Sequence, residues 1–316
     1  MTESPPHWRR AARAVLTAAF ACGVTTASAD DKTTDPYIVT IDTRPWIEAL
    51  RSDDLFETDP AIDSLASLGD HAVPALAAAL RAEGTLVRVN IVEVLRDIGT
   101  PATAAPLLLA AADGDIEVRR GAVEALGKLG DERGRAVVEA ALDDDAPEVV
   151  RTAAIACRSL CRSPAALRRL VELSVDANAA AGARASLRQL ARDPGLRAII
   201  DPLIAEVALP VLREGTDDRR IHAALVVADT GDRAALPVLR ACALGPVHPL
   251  ITAECVQSTA AIPGDDATAN LAQISRTGGP VARRAACEAL ATLAPRSEAA
   301  RGAHQGCPTP APGTAP

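Results

Sequence analysis

Apolar side chains recur every third or fourth residue over most of the chain, and the pattern is clearest in VRRGAVEALGKLGD, residues 118–131. Val118, Ala122, Val123, Ala125, Leu126 and Leu129 fall on one stripe at helical spacing, whereas Arg119, Arg120, Glu124 and Lys128 lie off it. Gly130 is placed to take the left-handed conformation that ends a helix, and Asp131 to cap the next one through ERGRAVVEAAL. The unit predicted is a helical hairpin with one packing face.

The unit repeats. VRVNIVEVLRDIG (87–99), VRTAAIACRSLC (150–161), RRIHAALVVADTG (219–231) and ARRAACEALATLA (282–294) align with it, Val150 standing at the Val118 position. These starts imply a period near 32 residues and leave room for weaker copies around 179–190 and 252–262. With an earlier unit at 61–80, the region 61–301 accommodates about eight hairpins. The second helices carry a proline mark: Val73-Pro74-Ala75-Leu76, Ala105-Pro106-Leu107-Leu108, Leu209-Pro210-Val211-Leu212 and Leu236-Pro237-Val238-Leu239. Proline is tolerated in a first helical turn, where its missing donor has no partner to lose, so each mark predicts a helix start. The only strand-like run is YIVTI, 37–41. The expectation is an all-α solenoid of stacked hairpins.

The VRRGAVEALGKLGD unit, the period and the proline-marked second helix resemble HEAT repeats, specifically the short HEAT-like type first described in phycobilisome lyases. The resemblance spans about 60–295 and implies a curved α-solenoid in which no hairpin buries its apolar face alone. It also implies an acid–arginine ladder between neighbouring repeats. Arg88, Arg119, Arg151 and Arg283 recur at one register, with Arg219 or Arg220 in the unit at 219–231, and acidic turns at Asp113, Asp115, Asp143, Asp144, Asp145, Asp217 and Asp218 precede such helices. In solenoids of this type the second helices line the concave face. Here they offer Arg135, Glu139, Arg168, Glu172, Arg213 and Arg240, a mixed-charge strip suited to modest, polar contact with a protein. The spacing of Arg135/Glu139 and Arg168/Glu172 equally suits intrahelical pairs on a solvated face.

The ends carry different patterns. Arg9, Arg10 and Arg13 precede an uncharged run that closes on Ala27-Ser28-Ala29, so residues 1–29 read as a cleaved export signal whose apolar centre is too short to span a bilayer. Acylation at Cys22, giving a lipid anchor, is the less favoured alternative because Ala19-Phe20-Ala21 lacks the usual aliphatic residue upstream; twin-arginine export fits the flanks of Arg9-Arg10 poorly. Residues 30–44 are polar. PWIEALRSDDLF (45–56) reads as a capping helix whose Trp46, Leu50 and Phe56 cover the first repeat, and 302–316 reads as a disordered Pro/Gly/Thr-rich tail.

Charge and cysteine content narrow the functions. The chain of 316 residues has a formal net charge of -8, and removing 1–29 takes away three arginines and one glutamate. So acidic a surface disfavours a nucleic-acid partner and gives no polybasic lipid anchor. Export implies an oxidising compartment for Cys157, Cys161, Cys242, Cys255, Cys287 and Cys307. Cys157 and Cys161, four apart on a helix, could present two thiolates to a metal, but they stand at the apolar positions of Ala125 and Leu129 and read first as buried core thiols. Cys255 and Cys287 also fall on the stripe. Cys307 could staple to Cys287 or Cys242.

Candidate chemistry is sparse. Some HEAT-like enzymes, the deoxyhypusine hydroxylases, hold two irons with His-Glu pairs, and this chain has no His-Glu dipeptide. His71, His222, His248 and His304 are scattered, His222 standing at the Gly121 position. No glycine-rich phosphate loop, nucleophile elbow or convincing carboxylate pair occurs. Bilin-lyase activity, the other possibility the resemblance raises, does not suit an exported chain. The reading is a non-catalytic protein-interaction scaffold, periplasmic or secreted, with a protein partner and no cofactor. The alternative is an accessory subunit or enzyme with a cysteine-bound metal.

Overall fold

The computed structural model describes residues 42–307. The segment read as an export signal, with Cys22, the polar stretch through YIVTI, and the tail from 308 lie outside the described residues. Within 42–307 the regular elements are α-helices and short 3-10 turns, with no strand. Helix α1 (Arg44–Ala49) is followed by eight hairpins. They are α2/α3 (Leu55–Ser67, Val73–Ala82), α4/α5 (Thr85–Ile98, Ala104–Ala110), α6/α7 (Ile116–Leu129, Arg135–Ala140) and α8/α9 (Pro147–Leu160, Pro164–Ser174). The remaining four are α10/α11 (Ala180–Leu190, Pro194–Glu214), α12/α13 (Asp217–Asp229, Leu236–Leu244), α14/α15 (Pro249–Ala261, Asp265–Thr277) and α16/α17 (Pro280–Leu293, Glu298–Gln305). The protein is an all-α solenoid of repeated hairpins, divided into two compact units at Ala166/Leu167, inside α9.

In the first unit the first helix of each hairpin packs on the first helix of the next, α2 on α4, α4 on α6 and α6 on α8. Val118, Ala122, Val123, Ala125 and Leu126 of the stripe read from the sequence are buried in α6, Leu129 is half-buried, and Arg119, read as lying off the stripe, is buried with them. Leu126 and its counterpart Leu95 are both fully buried. Gly99 (φ 60°) and Gly130 (φ 66°) end α4 and α6 in the left-handed conformation, each amide bonding back to the carbonyl four residues earlier. A second glycine has a different reason: a Cβ on Gly127 would stand 2.4 Å from Ala156 Cβ and 2.8 Å from its Cα. That absence lets α6 and α8 approach closely enough for Ser159 Oγ to donate to the Gly127 carbonyl at 2.8 Å. In the second unit the packing is again between neighbours, α11 on α12, α13 on α14, α14 on α16 and α15 on α16.

Four expectations need correction. The helix read over 45–56 is two: Asp54 Oδ1 accepts from the Phe56 amide at 2.9 Å and starts α2, which leaves Phe56 92% exposed. Leu50, fully buried, does the covering, and its carbonyl accepts from the Asn90 side chain at 2.9 Å. The VRTAAIACRSLC copy is slipped by one residue, since Val149, not Val150, is buried like Val118, and Cys157 then stands at the Leu126 position. Pro210 does not open a helix, because Asp193 caps at Gly195 and Leu196 and Pro194 occupies the first turn of a 21-residue α11 that runs through Pro202 and Pro210. An interior proline costs about 3 kcal/mol or more; Ile200, Ile204, Ala208 and Leu212, four apart and all buried, hold this helix in place. Lastly, the chain past 302 stays helical through Gln305 and is tied at Cys307.

Candidate functional site

The expected acid–arginine ladder is present in the first unit. Arg88 Nε and Nη2 donate to Asp113 at 2.8 and 3.0 Å, and Arg119 Nε and Nη2 donate to Asp144, both at 3.0 Å. Each carboxylate also caps the turn that follows, Asp113 Oδ1 accepting from the Asp115 amide and Asp144 Oδ1 from the Ala146 amide. Arg119 adds bonds to the carbonyls of Asp113 and Gly114. The Arg119–Asp144 pair is almost wholly buried, with side chains 5% and 3% exposed. These arginines serve the joint between hairpins and are not offered to a ligand. Arg151 is not a rung. After the one-residue slip it corresponds to Arg120, and like Arg120 it pairs within its own helix, with Glu148 at 3.7 Å. Arg220 donates to the Leu212 carbonyl at 3.1 Å, and Arg283 is exposed.

The residues proposed for a binding strip have varied roles. Arg135 pairs with Glu132, while Glu139 Oε1 accepts from the amides of Arg162 and Ser163 at 2.9 and 3.0 Å and caps the start of α9. In the second unit Arg168 reaches Glu206 on α11 at 2.7 Å, and Glu172 pairs with Arg169 at 3.2 Å. Arg240 donates to Gln273 Oε1 at 3.4 Å. Arg213 is exposed and has no side-chain ion pair among the described residues. Neither intrahelical pair suggested by the four-residue spacing forms.

The densest polar cluster is in the second unit and centres on Arg184, which sequence reading passed over. Superposed on the α6 stripe by its buried residues, α10 places Ala183 at Ala122, Leu187 at Leu126 and Arg184 at Val123. A charge therefore sits where the repeat calls for a small apolar side chain, and that mismatch is the signal the sequence carries. Arg184 is 4% exposed. Its Nε and Nη2 donate to the two carboxylate oxygens of Asp229 at 2.8 and 3.2 Å, Nη2 donates to Ser258 Oγ at 2.8 Å, and Nη1 meets Glu254. Arg188, one turn on, shares both oxygens of Asp229 at 2.9 Å. Buried charges persist only when partnered in this way. His222 stands nearby, half-buried, and burial pushes its pKa below the ordinary imidazole value, against the pull of Glu254 and Asp218.

Beside this cluster α10, α11 and the end of α12 enclose a cavity of about 330 Å³. Its floor is Leu187, Ile200, Ile204 and Val226, and Arg188, Arg192 and Arg197 stand around it with Asp201 and Asp229.

The cysteines are corrected as well: the six described are disulfide-bonded, not core thiols. The pairs are Cys157–Cys161, Cys242–Cys255 and Cys287–Cys307, with Cα separations of 4.6, 6.3 and 5.8 Å. Cys287 is thus the partner for Cys307 among the two considered. Among the described residues no group of three or more His, Cys, Asp or Glu side chains is placed to hold a metal ion.

A family model described as HEAT repeats matches residues 104–191. Among solved structures, human deoxyhypusine hydroxylase is 21% identical with a TM-score of 0.34, over 79% of this chain and 94% of that one. An engineered protein is 20% identical with a TM-score of 0.44, over 84% and 81% of the two chains. No curated protein matches. The matched residues run from α5 to the end of α10, and they share the stacked-hairpin, α-solenoid architecture of HEAT repeats.

Proposed function

We propose that the chain is an exported, non-catalytic interaction scaffold of the periplasm or extracellular space, built from short HEAT-like repeats of the phycobilisome-lyase type. The observation that carries the binding reading is the HEAT-repeat match over 104–191 together with the stacked hairpins around it. Such arrays present long surfaces to other proteins. Three disulfides support export, since disulfides persist in oxidising compartments, and they agree with the signal-like composition of residues 1–29. The same pairing leaves the cysteine-bound metal alternative without thiolates, because Cys157 and Cys161 are joined to each other. The partner is a protein; no nucleic acid or membrane span is part of the reading, and no described helix is long and apolar enough to cross a membrane.

The test is to recover the tagged chain from envelope and cytosolic fractions of its own organism, identify what co-purifies, and count free thiols and metal. A stoichiometric protein partner, mature chain beginning near Asp30 in the envelope fraction, and no free thiols are expected. Recovery in the cytosol with six reactive thiols would overturn export; stoichiometric metal would overturn the non-catalytic reading.

A further inference from the structure

We propose that the cavity between α10, α11 and α12 binds a carboxylate attached to a short branched aliphatic group. It stands independently of the interaction reading above. The argument begins with charge. Four arginines line the cavity (184, 188, 192 and 197) against Asp201 and Asp229, and Glu254 meets Arg184 from outside the lining, so one positive charge is left over in a chain of formal net charge -8. Asp229 is already committed, clamped between Arg184 and Arg188. The remaining two arginines are not satisfied to the same degree. Arg192 has no side-chain ion pair among the described residues, and Arg197 meets Asp201 only at 3.6 Å, with both side chains well exposed. Two guanidinium groups lining one cavity, with little internal compensation, are donors for a planar carboxylate, which takes paired N–H bonds in a fixed geometry.

The floor supplies the second half. Leu187, Ile200, Ile204 and Val226 are 1–4% exposed and form an apolar base under the charged rim. A volume of about 330 Å³ is at the small end of ligand cavities, roughly 300–1,000 Å³. The ligand is therefore small and amphiphilic: a charged end at Arg192 and Arg197 and an aliphatic end on the floor. Asp201 and Asp229 oppose a dianion, which favours a carboxylate over a phosphate. Two sources offer this chemistry, the C-terminal leucine or valine of another chain and a free branched-chain acid.

The experiment titrates the full mature chain, followed by heteronuclear NMR shifts, with three probes: a hexapeptide ending in free leucine, the same peptide with an amidated C-terminus, and 4-methylpentanoate. Expected is saturable binding of at least one free carboxylate, at least tenfold weaker binding of the amide, and a tenfold loss on Arg192→Ala or Arg197→Ala with the circular dichroism unchanged. Arg276→Ala, exposed and outside the cavity, leaves binding as it was. Binding of the peptide alone assigns the site to chain ends; equal or tighter binding of 4-methylpentanoate assigns it to free acids. No saturable shift at the cavity with either free carboxylate at millimolar concentration, or binding indifferent to Arg192→Ala and Arg197→Ala, overturns the proposal.

Discussion

Gly127 shows how a single position can reverse an ordinary preference. In an isolated helix, Ala in place of Gly gains about 1 kcal/mol. Here an added Cβ would sit inside the contact distance of Ala156, so larger side chains force α6 and α8 apart. Gly127→Val is expected to destabilise the chain by about 1–3 kcal/mol, the usual cost of overpacking, read as a lower denaturant midpoint. Leu126→Asp, one residue earlier, removes a fully buried side chain and leaves a charge unpaired; loss of the cooperative melt is the expected result. Asp131 offers a gentler probe. The Arg133 side chain, and then the Arg133 amide, hold its carboxyl down to about 2. A group with a depressed folded value contributes stability above the ordinary carboxylate range and loses it as pH falls from about 3.8 toward 2. Asp131→Asn should therefore flatten stability against pH across that acid window and leave its shape near neutrality unchanged, as measured by thermal melts.

Among the elements, the hairpins were easy to read and their exact registers were not. The stripe of α4 and α6 and their glycine stops follow from spacing alone, because each has one way to place its apolar face. In α8 two consecutive valines, Val149 and Val150, offered two registers one residue apart, and only packing chose Val149. Pro210 misled because its neighbours repeat the motif of a helix start while tertiary burial of every fourth residue keeps α11 continuous. Arg184 is hard to read from the sequence because its copy of the repeat is weak and puts a charge on the apolar stripe. Its pairing with Asp229 also joins residues 45 apart, which no local pattern reports. The ladder gives a prediction at this scale. Arg119→Met leaves Asp144 buried without its partner and should cost about 3–5 kcal/mol, whereas the double variant Arg119→Met/Asp144→Leu recovers much of that loss. A double-mutant cycle by chemical denaturation measures the difference.

Across the described residues, stability comes from joints between neighbouring hairpins and from three disulfides, of which Cys242–Cys255 alone ties one hairpin to the next. Cys287–Cys307 is the one that secures the end of the described chain, since α17 has Ala300 as its one buried residue. Replacing both cysteines by serine removes a closed loop of sequence separation 20, for which chain entropy alone gives about 3 kcal/mol. The expected outcome is a lower melting temperature under non-reducing conditions, equal to that of the reduced parent only if this bond dominates the other two.

The same bond makes the last hairpin a covalent ring. The turn between Leu293 and Glu298 lies within the loop it closes. A protease that cuts there produces a nick and no fragment: the chain keeps its full mass on a gel without reductant and sheds its C-terminal piece only when a thiol is added. In an environment rich in secreted proteases, the end of the array can be cut once and still stay attached.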